Sequence, residues 1–301
     1  MREMTAKNRV AISTTRKEDR LRRILRRMGR VLVAFSGGVD SAFLLKVASE
    51  ELGENVLAVI ARSETYPERE VRAAARLARE LGVKHLLIKT EEIENPKFAE
   101  NSPLRCYHCK RELFSRLREM ASARSIPYVL DGSNLDDRGD YRPGSKAGQE
   151  LGVRSPLREA RLTKAEIRLL SKEKGLPTWD KPSLACLASR FPYYTAIERR
   201  TLLKVSRAED VVRRLGLAQV RVRHHGEIAR LEVRPEEFRK LMIESARKKV
   251  IAGLRKLGYA YITLDLEGYR TGSLNEPLRK AANPRRNRAA RDGRHIGKLF
   301  K

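Results

Sequence analysis

The chain has 301 residues, of which 41% are hydrophobic and 34% charged. This is enough apolar material for one large and one smaller core, and it excludes a mainly disordered chain; no apolar run reaches membrane-spanning length, so a cytoplasmic protein is expected. The net charge of +27 is concentrated at the ends, with +8 on residues 1–30 and +7 on residues 271–301, a field that attracts polyanions such as RNA, nucleotides and phosphorylated metabolites.

In chain order, residues 16–28 place Leu21, Ile24, Leu25 and Met28 on one face of an amphipathic helix with a basic back, ended by Gly29. A buried strand is expected at 31–35, then the loop SGGVDS at 36–41 and a helix from Ser41 to Leu52. Further strands are expected at 55–61, 85–89 and 127–134, with helices at 67–82 and 107–124 between them. Continuous apolar strands alternating with helices predict an α/β fold with a doubly wound parallel sheet, in which ligands bind beyond the carboxyl ends of the strands. Thr163 and Glu166 form a capping box for a helix over 162–175 that Gly175 ends. Past a Pro- and Ser-rich loop, a helix at 195–215, strands at 219–224 and 228–233, a helix at 235–257 and a strand at 259–266 predict a smaller C-terminal α+β domain. The expected division is a basic helix at 1–29, a phosphate-loop domain at 30–175, a cysteine loop at 176–194, the small domain at 195–277 and a basic tail at 278–301.

SGGVDS stands where a buried strand turns into a helix. Gly37 and Gly38 let the backbone bend close to an anion, Ser36 and Ser41 offer hydroxyls, and the helix start adds free N–H groups. Asp40 would repel phosphate unless Mg²⁺ lay between them, so a metal role is expected for it. Neither GxxxxGK[ST] nor GxGxxG is present. This loop resembles that of the PP-loop (N-type ATP pyrophosphatase) superfamily. The resemblance implies cleavage of ATP between its α and β phosphates, with the adenine near Val33–Phe35 and Ala61–Ser63, so that Ser63 joins the ATP set.

Cys106 and Cys109 form RCYHCK, and Cys186 lies in KPSLACLASRF. A CxxC at a helix start, flanked by Arg105 and Lys110, is expected to have depressed thiol pKa values. A redox pair, a zinc site that His108 would have to complete, a three-thiolate iron–sulfur site and three unrelated cysteines all remain open on spacing alone. Five strings, RCYHCK, DGSNLDDRGDYRPG, KPSLACLASRFPY, QVRVRHHGEIARLEV and YITLDLEGYRTGSLNE, together resemble the LarE family of ATP-dependent sulfur-insertion proteins of nickel-pincer cofactor (lactate racemase) biosynthesis, over about residues 20–277. The resemblance implies adenylation of a carboxylate of pyridinium-3,5-biscarboxylic acid mononucleotide and displacement of AMP by sulfur. That sulfur is either the sacrificed thiol of Cys186, which becomes dehydroalanine, or a sulfide carried by a [4Fe-4S] cluster on Cys106, Cys109 and Cys186. The cluster route is favoured because all three cysteines are present.

By the same resemblance Arg190, Arg221 and Arg223 bind the substrate's phosphate or carboxylate, with Ser189 and Glu209 nearby in the substrate-binding set; without it, the solvent face of an amphipathic strand would be preferred for Arg221 and Arg223. Asp131, Asn134, Asp136, Asp137 and Asp140 could assist Asp40 or simply shape a polar loop. Arg142 could neutralise pyrophosphate, Trp179 could shape the pocket, and His224 and His225 are read as structural. Expected partners are a nucleotide-like small molecule and further copies of the chain. A PP-loop tRNA thiolase is the alternative, an amide-forming synthetase and a non-enzymatic RNA-binding protein rank lower, and nucleic acid is not favoured as substrate. No membrane partner is expected.

Overall fold

The computed structural model describes residues 6–139, 143–182, 185–270 and 272–276. Asp140, Arg142, Ser183 and the basic tail at 278–301 lie outside them. The chain forms two compact units, residues 1–188 with 193–206 and residues 189–192 with 207 onward. No helix among the described residues is long and apolar enough to cross a membrane.

The first unit runs α1 (Ala6–Met28), β1 (Val31–Ala34), α2 (Val39–Leu52), β2 (Val56–Arg62), α3 (Glu68–Glu80), β3 (Lys84–Lys89), α4 (Pro96–Ala99), α5 (Arg105–Ser122), β4 (Tyr128–Leu130), α6 (Pro143–Glu150), α7 (Pro156–Glu159), α8 (Lys164–Glu173) and the start of α9 (Arg199–Arg213). Its strands are all parallel, in the order β3-β2-β1-β4. Successive side chains on a strand point to opposite faces, so the apolar runs feed two cores. Val31, Val33, Ala58 and Ile60 pack with Leu21, Leu25, Leu44, Ala74 and Leu170 on one side. Leu32, Val59 and Val129 pack with Leu113, Phe114 and Leu117 of α5 on the other. Leu21 and Leu25 are fully buried, each contributing roughly 1.5–3 kcal/mol. β3 is an edge strand, and Leu87 is half exposed there. The capping box of α8 is formed as expected: Glu166 N–H donates to Thr163 Oγ1 at 3.3 Å and Thr163 N–H to Glu166 Oε2 at 2.9 Å.

The second unit contains the end of α9, β5 (Val220–His225), β6 (Ile228–Val233), α10 (Phe238–Met242), α11 (Glu244–Lys256) and β7 (Tyr261–Leu264), with strand order β5-β6-β7. β5 and β6 are antiparallel, while β6 and β7 are parallel, joined by the α10–α11 crossover. The single helix expected over 235–257 is broken at the extended residue Ile243. Leu241, Val250 and Leu254 all face one core, yet nine residues separate Leu241 from Val250, which would put them on opposite sides of an unbroken helix. The break resets the phase. The helix expected from residue 16 begins earlier, at Ala6.

Candidate active site

The phosphate loop lies between β1 and α2, at the carboxyl edge of the first sheet. Gly37 adopts φ +66°, and a methyl added to it would sit 2.8 Å from Ala74 Cβ of α3, so both the bend and the close packing exclude larger residues. Ser36 Oγ and Ser41 Oγ are 3.1 Å apart, Gly38 N–H donates to Ser36 Oγ at 3.4 Å, and Ser41 Oγ donates to Gly38 O at 3.2 Å. Gly38 is the helix cap, and no side chain caps α2. The first-turn N–H groups therefore face the loop without an intrahelical partner, the usual setting for an anion. Lys181 adds a cation there: its Nζ donates to Gly37 O at 2.9 Å and lies 3.0 Å from Glu70 Oε2. A narrow cleft of about 60 Å³ opens beside Ser36, lined by Ala34, Phe35, Ala61, Tyr66, Lys110 and others at the ends of β1 and β2. It accommodates a few waters, so a nucleotide base entering here would have to part its walls.

Asp40 stands in the first turn of α2. Its Oδ2 accepts from Lys164 Nζ at 2.5 Å and its Oδ1 from Asn134 Nδ2 at 3.3 Å. The other acids of the loop after β4 hold that loop together. Asp131 accepts from Ser133 and Ser155, Asp137 Oδ2 accepts from Asn134 N–H, and Asp136 Oδ2 accepts from Lys164 N–H. Asp40 and Asn134 are thus brought together, while Asp131, Asp136 and Asp137 serve the turn. Trp179 packs at the surface under Lys172, 4.8 Å from ring centroid to ammonium.

All three cysteines are free thiols in the first unit; Cys186 acts electrostatically on Cys106 and Cys109, and Cys106 on Cys109. The expectation of depressed thiol pKa values is overturned. Cys106 keeps an exposed face, yet desolvation by the protein around it, then the neighbouring Cys186, push its thiol up against the opposing pull of Arg105 and Lys110. Cys109 is pushed well up, first by desolvation and then by Glu92 and Cys186. Arg105 is itself buried, held by Asn101 Oδ1 and stacked 5.0 Å from the Tyr193 ring. Among the described residues, no group of three His, Cys, Asp or Glu side chains is arranged to hold a single metal ion.

Ser63 lies at the end of β2, but its hydroxyl donates to Glu92 Oε1 at 2.6 Å, as does Thr65 Oγ1 at 2.5 Å. Glu92 is 2% exposed, and its Oε2 has no hydrogen-bond partner among the described residues. Tyr66 completes this neighbourhood: negative charge on Cys109 first, then desolvation and Cys186, raise its hydroxyl pKa well above the ordinary value. Leu187 N–H donates to Thr65 O at 2.8 Å, tying the Cys186 loop to the same segment. Sequence reasoning missed Glu92, Tyr66, Lys164 and Lys181; of these only Lys181, the first residue of KPSLACLASRF, stands in a motif string that could have pointed to it.

In the second unit the predicted arginines are buried. Arg190 Nε donates to Glu209 Oε1 at 2.8 Å and Nη2 to Oε2 at 3.2 Å, with exposures of 1% and 0%. Arg190 Nη1 also donates to Ser189 Oγ at 2.8 Å. Burial opposes the charge on Glu209, but Arg190, Arg221 and Arg213 hold its carboxyl below the usual range. Arg223 forks onto Glu232 at 2.9 and 2.6 Å and donates to Ser189 O at 2.6 Å. The guanidinium of Arg221 lies 5.3 Å from the Tyr269 ring centroid and donates to Val220 O; turning the Gln219 amide lets its oxygen accept from Arg221 at 2.9 and 3.1 Å. Burial first, and then Arg190, bring the Arg221 pKa down to about 10. A solvent-facing role for Arg221 and Arg223 is excluded by their burial. Glu232 is the partner that sequence reasoning missed. His224 is structural as read, with Nδ1 3.1 Å from the Tyr259 hydroxyl and its ring against Phe191.

The NAD synthase family model matches residues 14–125. An uncharacterised protein of Synechocystis is 43% identical over 264 residues, 88% of this chain and 98% of its own. The pyridinium-3,5-bisthiocarboxylic acid mononucleotide synthase of Lactiplantibacillus plantarum is 40% identical over 258 residues, 85% of this chain and 93% of its own. The tRNA-specific 2-thiouridylase MnmA of Xanthobacter autotrophicus is 28% identical over 289 residues, 78% of this chain and 72% of its own.

Proposed function

Because the chain belongs to the LarE family of pyridinium-3,5-bisthiocarboxylic acid mononucleotide synthases, among the PP-loop ATP pyrophosphatases, we propose that it is an AMP-forming sulfurtransferase acting on pyridinium-3,5-biscarboxylic acid mononucleotide. The observation that carries this reading is the match to the Lactiplantibacillus enzyme along nearly its whole length. ATP takes its phosphates onto Ser36, Gly37, Gly38 and Ser41, with Ser63 near the adenine and Lys181 as an additional cation. A carboxylate oxygen of the substrate attacks the α-phosphorus, and pyrophosphate leaves. Sulfur then attacks the acyl carbon and AMP leaves, giving the thiocarboxylate needed for a nickel-pincer cofactor.

Asp40 would hold Mg²⁺, and its carboxylate suits that ion once Lys164 gives way. Bound Mg²⁺ would neutralise the pyrophosphate. Cys186 acts electrostatically on both Cys106 and Cys109, which supports reading the three thiols as one set, the number that a cluster with one open iron requires. A [4Fe-4S] cluster held by Cys106, Cys109 and Cys186 would supply one iron free to carry a sulfide. In the sacrificial route the thiol of Cys186 gives up its proton and attacks the acyl adenylate. Loss of the Cys186 Cα proton then breaks the Cβ–S bond, leaving dehydroalanine and the thiocarboxylate.

The substrate's phosphate and remaining carboxylate are assigned to Arg190, Arg221 and Arg223, with Ser189 and Glu209 fixing the guanidinium planes. Arg221 supports this, since a cation burdened by burial and by a neighbouring cation gains from an arriving anion. Anaerobic protein incubated with ATP, Mg²⁺ and the biscarboxylic mononucleotide should release AMP and form the thiocarboxylate. Iron and sulfide content with unchanged protein mass selects the cluster; iron-free protein that loses the mass of H₂S selects the sacrificial route. The similarity to MnmA favours tRNA thiolation as the second reading. Thiolated tRNA with no product from the mononucleotide would establish that reading and refute the first.

A further inference from the structure

A second cleft, of about 860 Å³, opens at the amino-terminal edge of the first sheet, away from the phosphate loop at the carboxyl edge. Its walls carry Arg20, Arg23, Arg27, Arg154, Arg158 and Arg161, with Glu159 as the single acid and Ile24, Met28 and Tyr128 among the lining. Glu159 is fully engaged by Arg154, at 2.8 and 2.6 Å. Among the described residues the other five arginines have no carboxylate within ion-pair distance.

Three features show what such a cleft fits. Arg20, Arg23 and Arg27 of α1, with the exposed Arg16 a turn earlier, follow steps of four, three and four residues and so lie along one helix face. The row extends about 16 Å at the rise of an α-helix. The same amino-terminal edge carries a further cleft of about 600 Å³, lined by Arg30 and Arg124, which add cations near the starts of β1 and β4, and by Lys84, which Glu54 neutralises at 2.5 Å. Arginines without acid partners, spread over a length that the phosphates of one mononucleotide cannot cover, match a run of phosphates rather than a single group, and guanidinium groups grip phosphate through paired hydrogen bonds. Arg161 adds a third sign. It has φ +63°, a left-handed backbone in which glycine or asparagine is the ordinary occupant, yet an exposed arginine stands there.

We infer that this edge binds an extended phosphodiester backbone, that of single-stranded RNA, without sequence preference and separately from the chemistry at the carboxyl edge. Five phosphate contacts predict that log K falls with log salt concentration at a slope of about −3.5 for a single strand.

The test is fluorescence anisotropy of the full chain with a labelled mixed-sequence RNA strand across a salt series. Arg161→Gly removes one cation and relaxes the left-handed backbone, so its thermal midpoint should stay or rise while the slope shrinks by about 0.7; Arg23→Ala with Arg27→Ala should shrink it by about 1.4. AMP formation from the mononucleotide should be unchanged in both, which separates failure of this inference from failure of the proposed reaction. Three outcomes would overturn it: a salt slope that these variants leave untouched, binding of anionic phosphatidylserine vesicles but not RNA, or binding of inorganic tripolyphosphate but not RNA.

Discussion

Gly37 offers the sharpest test of the phosphate loop. Replacing it with alanine asks an L-residue to keep φ +66°, which costs roughly 1–2 kcal/mol. The new methyl would also sit 2.8 Å from Ala74 Cβ and 3.1 Å from Ala74 Cα, well inside ordinary contact, and Ala74 is buried. Overpacking of this kind costs about 1–3 kcal/mol, so Gly37→Ala should lose about 2–5 kcal/mol in urea denaturation. Gly38 is the control. It has ordinary extended φ, and the only neighbour within 4 Å of an added methyl is Ser36 Oγ at 3.4 Å. Gly38→Ala should therefore cost stability no more than about 1 kcal/mol. The same methyl would stand on the loop where the backbone must approach the phosphate closely, so ATP affinity measured by titration calorimetry should fall about tenfold or more. Native stability in Gly37→Ala, or undiminished ATP binding in Gly38→Ala, would refute the reasoning.

Two further perturbations probe the charged groups. Glu209→Gln strands Arg190 in a dry site and should lower stability in chemical denaturation by about 3–5 kcal/mol. Because the folded-state pKa of Glu209 is lowered, its contribution is present above the unfolded value, near pH 4.3, and fades as pH falls through the folded value; the variant should therefore show a flatter acid limb of stability against pH. An unchanged acid limb would count against the pair. Lys164→Ala frees Asp40 from a half-exposed ion pair and should lower the Mg²⁺ concentration for half-maximal AMP release by about two- to fivefold. A higher Mg²⁺ requirement would mean that Lys164 serves the nucleotide directly.

The sheet and its loop were legible in the sequence because parallel strands buried on both faces leave continuous apolar runs, and because SGGVDS needs its glycines for geometry alone. The break at Ile243 was not legible, since a window of helical periodicity does not register that Leu241 and Val250 fall on opposite sides until the core they share is known. The thiol shifts were misread for a related reason. Arg105 and Lys110 are sequence neighbours of the cysteines, whereas what outweighs them, desolvation by the surrounding protein first, then Cys186 on Cys106 and Glu92 and Cys186 on Cys109, arises only through the fold. Likewise the arginines of β5 alternate as a solvent-exposed strand would, and only the buried Glu209 and Glu232 reveal why they are inside.

The account rests on a division of labour in which the phosphate loop activates the carboxyl group and Cys186 is required to deliver sulfur to it. The most direct measurement follows AMP and thiocarboxylate together in Cys186→Ala, supplied with ATP, Mg²⁺, the biscarboxylic mononucleotide and sulfide. The account predicts detectable AMP transfer with no thiocarboxylate; thiocarboxylate formed at the wild-type rate would contradict it.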